Sequence, residues 1–407
     1  MRVVLVNKFY YPRGGDCVAV MAAERLLKAK GHEVAVFSMQ YPDNVSSPWE
    51  TYFPAEVSFS GATVSGRIRA AERIFRAGEV AARFTRLLND FKPDVVHLHN
   101  IHSYLSPVVA QIARRQRLRV IWTMHDYKLI CPAYACLRAG KPCEVCFSRK
   151  SGVFRHACMK GSRAASLLAW MEALYWNGKK LARLTDRFIS PSLFLKEKMV
   201  SAGFRAEQME VLPNFMHRPT PPPADKEDYY CYTGRLSGEK GVETLLEAAK
   251  HLSFPLKVIG GGPLLETLRR QFPQRHIEFT GPLPAEALLP VVQRARFLVM
   301  PSVWYENNPF SMIEALCLGT PVLGANIGGI PELIEEGRNG MLFEPGHAEQ
   351  LREHILHMRQ TAFPYQTIAQ QALQRFSAEN HYERLLAVYQ DQLSKRDIFI
   401  IKNKTAE

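Results

Sequence analysis

The sequence predicts an α/β protein made of two doubly wound, Rossmann-like domains that face each other across a cleft. Three observations carry this reading. The chain has 407 residues, more than one hydrophobic core usually organises, so two domains of about 200 residues each are expected. Short apolar runs alternate with helix-length segments along nearly all of it, the pattern of parallel strands covered by helices on both faces. The alternation breaks once, where Pro219, Pro221, Pro222 and Pro223 crowd together, and then starts again.

The first domain, residues 1–212, opens with a strand from Val3 to Asn7, a loop through Gly14 and Gly15, a helix running to Lys30 and stopped by Gly31, and a strand from Glu33 to Ser38. Further strands are expected at Val95–His99, Val120–Thr123, Phe188–Ser190 and the brief Val211–Leu212. Residues 213–228 read as a proline-rich linker. In the second domain, residues 229–376, strands are expected at Tyr229–Thr233, Leu256–Ile259, Ile277–Phe279, Phe297–Met300, Pro321–Leu323 and Met341–Phe343. A last helix, about residues 377–396, is expected to pack back on the first domain. Ligands of such sheets bind beyond the carboxyl ends of the strands, which places the functional site between the domains.

Composition narrows the setting. No apolar run approaches the ~20 residues of a membrane-spanning helix, and the first residues lack the apolar region and cleavage site of a secretory signal. A cytoplasmic protein is expected. The formal net charge of +13 is uneven: 32 Lys+Arg stand against 17 Asp+Glu in residues 1–212, and 20 against 22 in the remainder. An acidic partner for the first half is implied. No nucleic-acid recognition motif accompanies the basic segments, so a nucleic-acid partner is not expected.

The most informative segment runs from Pro301 through Trp304, Tyr305, Glu306, Asn307, Asn308, Pro309, Phe310 and Ser311 to Glu314. Pro309 suits a first helical position and Asn308 a cap. The amides of Phe310 and Ser311 would then open a helix, ready for a phosphate or a sugar edge. Were the whole interval helical, Glu306 and Glu314 would lie ~12 Å apart, at ~1.5 Å per residue. That span suits two ends of one nucleotide sugar.

A second segment, Thr233-Gly234-Arg235 through Lys240-Gly241, follows a strand and precedes a helix. The chain has no Asp-x-Asp pair to hold a divalent cation beside a pyrophosphate, so fixed cations must stabilise such a leaving group. Arg235 offers a planar fork and Lys240 a compact charge. The glycines at 260–262 follow the strand ending at Ile259 and would let the backbone approach a ligand.

Together with Gly319-Thr320-Pro321-Val322, these segments resemble the retaining glycosyltransferases of family 4, and the resemblance extends over nearly the full length. It implies the GT-B arrangement of the two domains, an enzyme that needs no catalytic metal, and a nucleotide-diphosphate sugar as donor, UDP- or GDP-linked. By resemblance, Glu306 contacts the donor sugar near its anomeric carbon, Glu314 holds the ribose hydroxyls, and Arg235 with Lys240 clamps the diphosphate. Gly262, Leu283, Asn308, Phe310 and Ser311 are further donor contacts, Leu283 at the nucleobase. Gly14 and Gly15 form the facing loop, Gly15 on the donor side and Gly14 on the acceptor side. His125 lines the reaction centre, and His99 and Asn100 support the acceptor side with His97 behind them. Asn307-Asn308-Pro309 replaces the commoner glycine-containing loop of the family, which leaves the sugar open.

Two features lie outside the resemblance. Cys131, Cys136, Cys143, Cys146 and Cys158 crowd into 28 residues, and four of the five could form a structural Zn2+ site that staples a loop. Two basic segments, Arg67 to Arg86 interleaved with Ile68, Ile74, Phe75, Val80 and Phe84, and residues 131–165 with seven Lys/Arg against Glu144 alone, predict docking on an anionic membrane surface. The expected function is sugar transfer to a hydroxyl of a glycan acceptor, lipid-linked, at the inner face of the cytoplasmic membrane. A nucleotide-sugar epimerase and a catalytically silent nucleotide-sugar-binding protein are the alternatives.

Overall fold

The computed structural model describes residues 1–57, 64–218, 220 and 224–390, with the backbone alone at 64–69. The described residues form fourteen strands: β1 (Arg2–Val6), β2 (Glu33–Phe37), β3 (Val95–Leu98), β4 (Arg119–Thr123), β5 (Leu137–Arg138), β6 (Lys141–Pro142), β7 (Arg187–Ser190), β8 (Met209–Val211), β9 (Tyr230–Thr233), β10 (Leu256–Ile259), β11 (Ile277–Gly281), β12 (Leu298–Met300), β13 (Val322–Ala325) and β14 (Gly340–Phe343). Two six-stranded sheets have the orders β2-β1-β3-β4-β7-β8 and β11-β10-β9-β12-β13-β14, and every pairing within them is parallel. Central strands are apolar on both faces because helices cover both sides; Val3, Val4, Leu5 and Val6 are all fully buried.

Each of the twelve strands expected from the sequence is present, within two residues. The hairpin of β5 and β6 was not foreseen. It belongs to an irregular segment between β4 and the helix Arg163–Tyr175, whose only helices are the single turns Val145–Ser148 and Gly152–Arg155. Tyr134, Cys136, Ala139, Ala157 and Lys160 in this segment all have positive φ. Strands of two residues bury too little apolar surface to leave a periodic signal in sequence.

The chain leaves the first sheet after β8, crosses to the second domain, and returns. Residues 378–390 form a helix whose Leu385, Val388 and Tyr389 pack with Val3, Leu5, Val95 and Ile121 on one face of the first sheet. Residues 391–396, the end of the helix expected from sequence, lie outside the described residues, as do Pro219, Pro221, Pro222 and Pro223 of the linker.

The apolar positions of the arginine-rich segment turn inward where they are described. It forms two helices, Val64–Phe75 and Gly78–Phe91, broken at Ala77 in the left-handed region. Ile74, Val80 and Phe84 are buried in the core. The arginines pair with acids: Arg73 and Arg83 with Glu79, Arg76 with Glu72, and Arg86 with Asp90. The side chains of Arg67, Ile68 and Arg69 lie outside the described residues. Among the described residues no helix is long and apolar enough to cross a membrane.

Candidate active site

The carboxyl ends of both sheets meet at one cleft. On the second domain, β12 ends at Met300 and the chain turns through Ser302 to Glu306, a buried carboxylate. Its Oε1 accepts hydrogen bonds from Lys240 Nζ at 2.7 Å, Ser302 Oγ at 2.6 Å and Trp304 Nε1 at 2.9 Å. Burial alone would raise its pKa, but Lys240 and these donors outweigh burial and hold it below the ordinary carboxylate value. The result is a fixed anion paired with a fixed cation. Lys240 reaches it from the loop after β9, whose approach depends on Gly241. That residue has φ +65°, and a Cβ there would sit 1.9 Å from the Pro301 carbonyl oxygen, so only glycine fits. Arg235, in the same loop, is exposed.

The helix expected after Pro309 begins at Phe310 and ends at Cys317, with Pro309 in the cap position. Asn308 is not the cap. Its Oδ1 accepts from the Asn214 amide at 2.8 Å, and its carbonyl accepts from Asn214 Nδ2 at 2.7 Å, so its side-chain oxygen is engaged by the linker. Glu306 precedes the helix, and the 12 Å estimate for a continuous helix does not apply. The first amides of an α-helix have no partner within it, which leaves those of Phe310 and Ser311 available. Gly15 lies against the Phe310 side chain: a Cβ built on it would be 3.8 Å from Phe310 Cδ2. Gly15 itself begins the helix Gly15–Ala29, with Gly14 as its cap. Two helix N-termini are thus neighbours across the cleft, and a helix N-terminus favours an anion.

Glu314 is buried on the inner face of the Phe310–Cys317 helix, and burial raises its pKa, opposed by Arg218, whose Nε lies 3.4 Å from its Oε1. Arg218 was not anticipated, because a linker position carries no periodic signal. With His217 it lines a cavity of about 280 Å³ bounded by Met21 and Arg25 of the first domain and Leu289 of the second. Leu283 follows β11, partly buried against the second core. Gly262 serves the fold directly: a Cβ on it would lie 2.4 Å from the Leu236 carbonyl oxygen.

The first-domain face is built from imidazoles. His125 Nε2 and His99 Nδ1 are 2.9 Å apart with stacked rings; His97 bridges Thr123 Oγ1 and Tyr389 Oη, each at 2.7 Å. Burial lowers the pKa of His125 to about 4 and of His97 to about 3, so both are neutral at physiological pH. Asn100 Nδ2 donates to Asp16 at 2.7 Å. Burial pushes the Asp16 carboxyl up, but Lys8, His125 and Asn100 together bring it below the ordinary value. Sequence reasoning missed Asp16 and Lys8, although Asp16 directly follows the Gly14-Gly15 pair.

Several contacts clasp the domains beside this face. Ser192 Oγ donates to Asn307 Oδ1 at 2.5 Å, Asn307 Nδ2 to the Met124 carbonyl at 3.2 Å, and Tyr305 Oη to Glu144 at 2.8 Å. Glu332 caps the helix Leu193–Ser201 from the opposite domain through the amides of Leu193 and Phe194.

Comparison with known proteins agrees with this architecture. Residues 14–214 match the family model described as a glycosyl transferase 4-like domain, and residues 216–372 match glycosyl transferases group 1. An uncharacterized 42.6 kDa protein in the cps region of Klebsiella pneumoniae is 27% identical over 352 residues, covering 82% of this chain and 87% of its own length. Among solved structures, the lipopolysaccharide outer core galactosyltransferase WaaB superposes with a TM-score of 0.64 at 18% identity, over 96% of this chain and 100% of its own. Anabaena Alr3699/HepE in complex with UDP and glucose gives 0.64 at 18% identity, over 95% and 99%. With a family match on each side of the linker and the same two-sheet fold in these neighbours, the chain belongs to the group 1 glycosyltransferases of family 4, with the GT-B fold.

Proposed function

We propose that this glycosyltransferase is a retaining hexosyltransferase without a catalytic metal, which transfers a sugar from a UDP- or GDP-sugar to a hydroxyl of a lipid-linked glycan in cell-surface polysaccharide or glycolipid synthesis. The carrying observation is the Lys240–Glu306 pair set beside the opposed helix ends at Gly15 and Phe310. A diphosphate seated between those ends would gain Arg235 and Lys240 as the sugar bond breaks, and each charge-assisted contact contributes ~1.5–3 kcal/mol. Glu306 orients the sugar and supports the positive charge that develops at the anomeric carbon. The departing phosphate accepts the proton of the acceptor hydroxyl on the same face, which retains configuration. Neutral His125 serves as a hydrogen-bonding wall rather than an acid, and Glu314 with Arg218 holds the nucleoside end. The capsule-region relative and the UDP complex of the Anabaena neighbour support this choice of donor and pathway class.

Acceptor delivery from a membrane is supported by a surface that overlaps the end of the second basic segment, residues 131–165, and extends beyond it. On the helix Arg163–Tyr175, Leu167, Met171, Leu174 and Tyr175 are exposed, Leu174 by 54%, at the spacing of one helical stripe. Lys180 lies over the Tyr175 ring, Lys160, Arg163, Lys179 and Arg183 flank the helix in sequence, and Glu172, the only acid of that helix, is buried in a 2.8 Å pair with Lys128. This face suits the inner, anionic leaflet of the cytoplasmic membrane.

Two experiments test the proposal. Incubation with UDP- and GDP-sugars and a lipid-linked acceptor, without added Mg2+ or Mn2+, should give product whose anomeric configuration by NMR matches the donor; inversion, or donor conversion without acceptor, refutes it. Flotation with phosphatidylglycerol vesicles at low salt should recover the wild type and lose a Leu167→Asp/Leu174→Asp variant; an unbound wild type removes the membrane assignment.

A further inference from the structure

The irregular segment between β4 and the helix Arg163–Tyr175 contains a cluster of thiols that the transfer reaction does not use. We propose that Cys131, Cys143, Cys146 and Cys158 bind one structural Zn2+ as four thiolates, and that this ion fixes the lip of the cleft on which the donor domain rests.

The first observation is spacing. Eleven residues separate Cys131 from Cys143, two separate Cys143 from Cys146, and eleven separate Cys146 from Cys158. A Cys-x-x-Cys at a tight turn presents both sulfurs to one ion, and one thiol from each flank completes a tetrahedron. The second observation is the fold, which brings two of these distant thiols together and carries the other two on the same short segment. The Cys131 thiol is within hydrogen-bonding reach of Cys146 and Cys136, and the Cys158 thiol feels the charge of Cys131 and Cys143. Backbone bonds hold the flanks: Cys131 N donates to the Tyr127 carbonyl at 2.7 Å, Cys143 N to Cys136 at 2.7 Å and Cys158 N to Val153 at 3.0 Å. Among the described residues, no three histidine, cysteine or acidic side chains already converge as a metal site. The thiols lie against one another instead, and closing them around an ion asks for rotation about Cα–Cβ bonds and adjustment of the short turns that carry them.

Charge is the third observation. Zn2+ with four thiolates carries a net charge of about −2, which an acidic surrounding would oppose. Here the surroundings are basic. Lys150 interacts electrostatically with Cys146, Cys131 and Cys136 and donates to the Ile130 carbonyl; Arg138, Arg149 and Arg155 lie in the same stretch of sequence. Glu144, the single acid between the outer cysteines, is paired with Tyr305 at 2.8 Å and Lys198 at 2.6 Å.

The need for a staple and its consequence both follow. The segment holds two-residue strands, one-turn helices and five non-glycine residues in left-handed conformations, too little regular structure to define itself. Yet Glu144, between two of the proposed ligands, meets Tyr305, whose neighbour in sequence is Glu306. A closed four-thiolate site with no open position suits a structural Zn2+; the same ligand set also accepts iron, which its absorption spectrum distinguishes in the test below. Cys136 is left as a buried apolar neighbour.

The test is elemental analysis of the full-length chain, purified under reducing conditions without a metal-affinity column. About one zinc per chain is expected. Cys143→Ser and Cys158→Ser should each lose it, while Cys136→Ser and Cys17→Ser keep it; thermal-shift binding of UDP and GDP by the same variants reports whether the second domain is intact. Because a variant could fail to fold, titration of the wild type with a mercurial reagent in the presence of a zinc indicator provides an independent arm, in which zinc should be released as the cluster thiols react. Metal-free wild type, an iron–sulfur absorption spectrum, a disulfide between any two of the four, or zinc lost in Cys136→Ser but kept in Cys143→Ser would each overturn the proposal.

Discussion

The two faces of the cleft use opposite means to hold polar groups out of water. The second-domain face is ionic: Lys240 against Glu306 at 2.7 Å and Arg218 against Glu314 at 3.4 Å, carried on loops that glycine allows to close on one another. The first-domain face is built from uncharged imidazoles beside one carboxylate: His97 is bonded to Thr123 and Tyr389, His99 pairs with His125 and leaves its buried Nε2 without a partner, and Asn100 is bonded to Asp16. The difference fits the charge each face must meet. Opposed ion pairs can be reshuffled by a diphosphate, whereas uncharged imidazoles present a shaped wall to a neutral sugar hydroxyl.

Breaking the ionic face should have the largest effect. Glu306→Gln or Lys240→Met leaves the partner buried and unpaired, and the transfer rate is expected to fall about 10²–10³-fold with a smaller change in KM, as for loss of a transition-state electrostatic contact; steady-state kinetics with the preferred donor checks this. Arg235→Ala, Glu314→Ala and Arg218→Ala should instead weaken donor binding by about 10- to 100-fold, the loss of one charge-assisted contact, read by calorimetric titration with the nucleoside diphosphate. Equal effects on rate and binding in all of these variants would erase the division of labour.

The neutral face should respond to pH. Burial depresses His97 to about 3 and His125 to about 4, whereas unfolded imidazoles titrate near 6.5. Unfolding therefore takes up protons between those values, so stability is fully present above about pH 6.5 and declines as pH falls towards 4. Urea unfolding across that range should show the slope, and a flat profile would contradict the buried neutral histidines. The smallest effect belongs to Tyr389→Phe, which deletes the bond to His97 at a cost of ~1 kcal/mol in stability, leaving donor affinity unchanged in the same titration.

Legibility from sequence followed the same division. The donor face was readable because it is local: Glu306, Asn308, Phe310 and Glu314 lie within nine positions, and Arg235 with Lys240 within six. Even there, the cap fell on Pro309 rather than Asn308 because Asn308 is claimed by Asn214, 94 residues away. The other face depends on partners that no local pattern connects. His97 meets Tyr389 across 292 positions, Tyr305 meets Glu144 across 161, and Ser192 meets Asn307 across 115. The arginine-rich helices misled for a related reason. Amphipathic spacing is the same whether the apolar stripe faces a bilayer or its own sheet, and here Val80 and Phe84 pack into the core of the first sheet and Ile74 is buried.

The return of the C-terminal helix to the first domain means that the polypeptide passes between the lobes twice, and the two passages touch. Met216 N donates to the Phe376 carbonyl at 2.8 Å, His381 Nδ1 lies 2.9 Å from the Pro213 carbonyl, and the rings of Phe215 and His381 are 4.4 Å apart. A single tether would let one lobe swivel freely; a paired, side-by-side tether resists torsion while still permitting bending. Such a joint favours gaping and shutting along one arc, the arc that keeps Gly15 aligned with the Phe310 side chain against which it lies here.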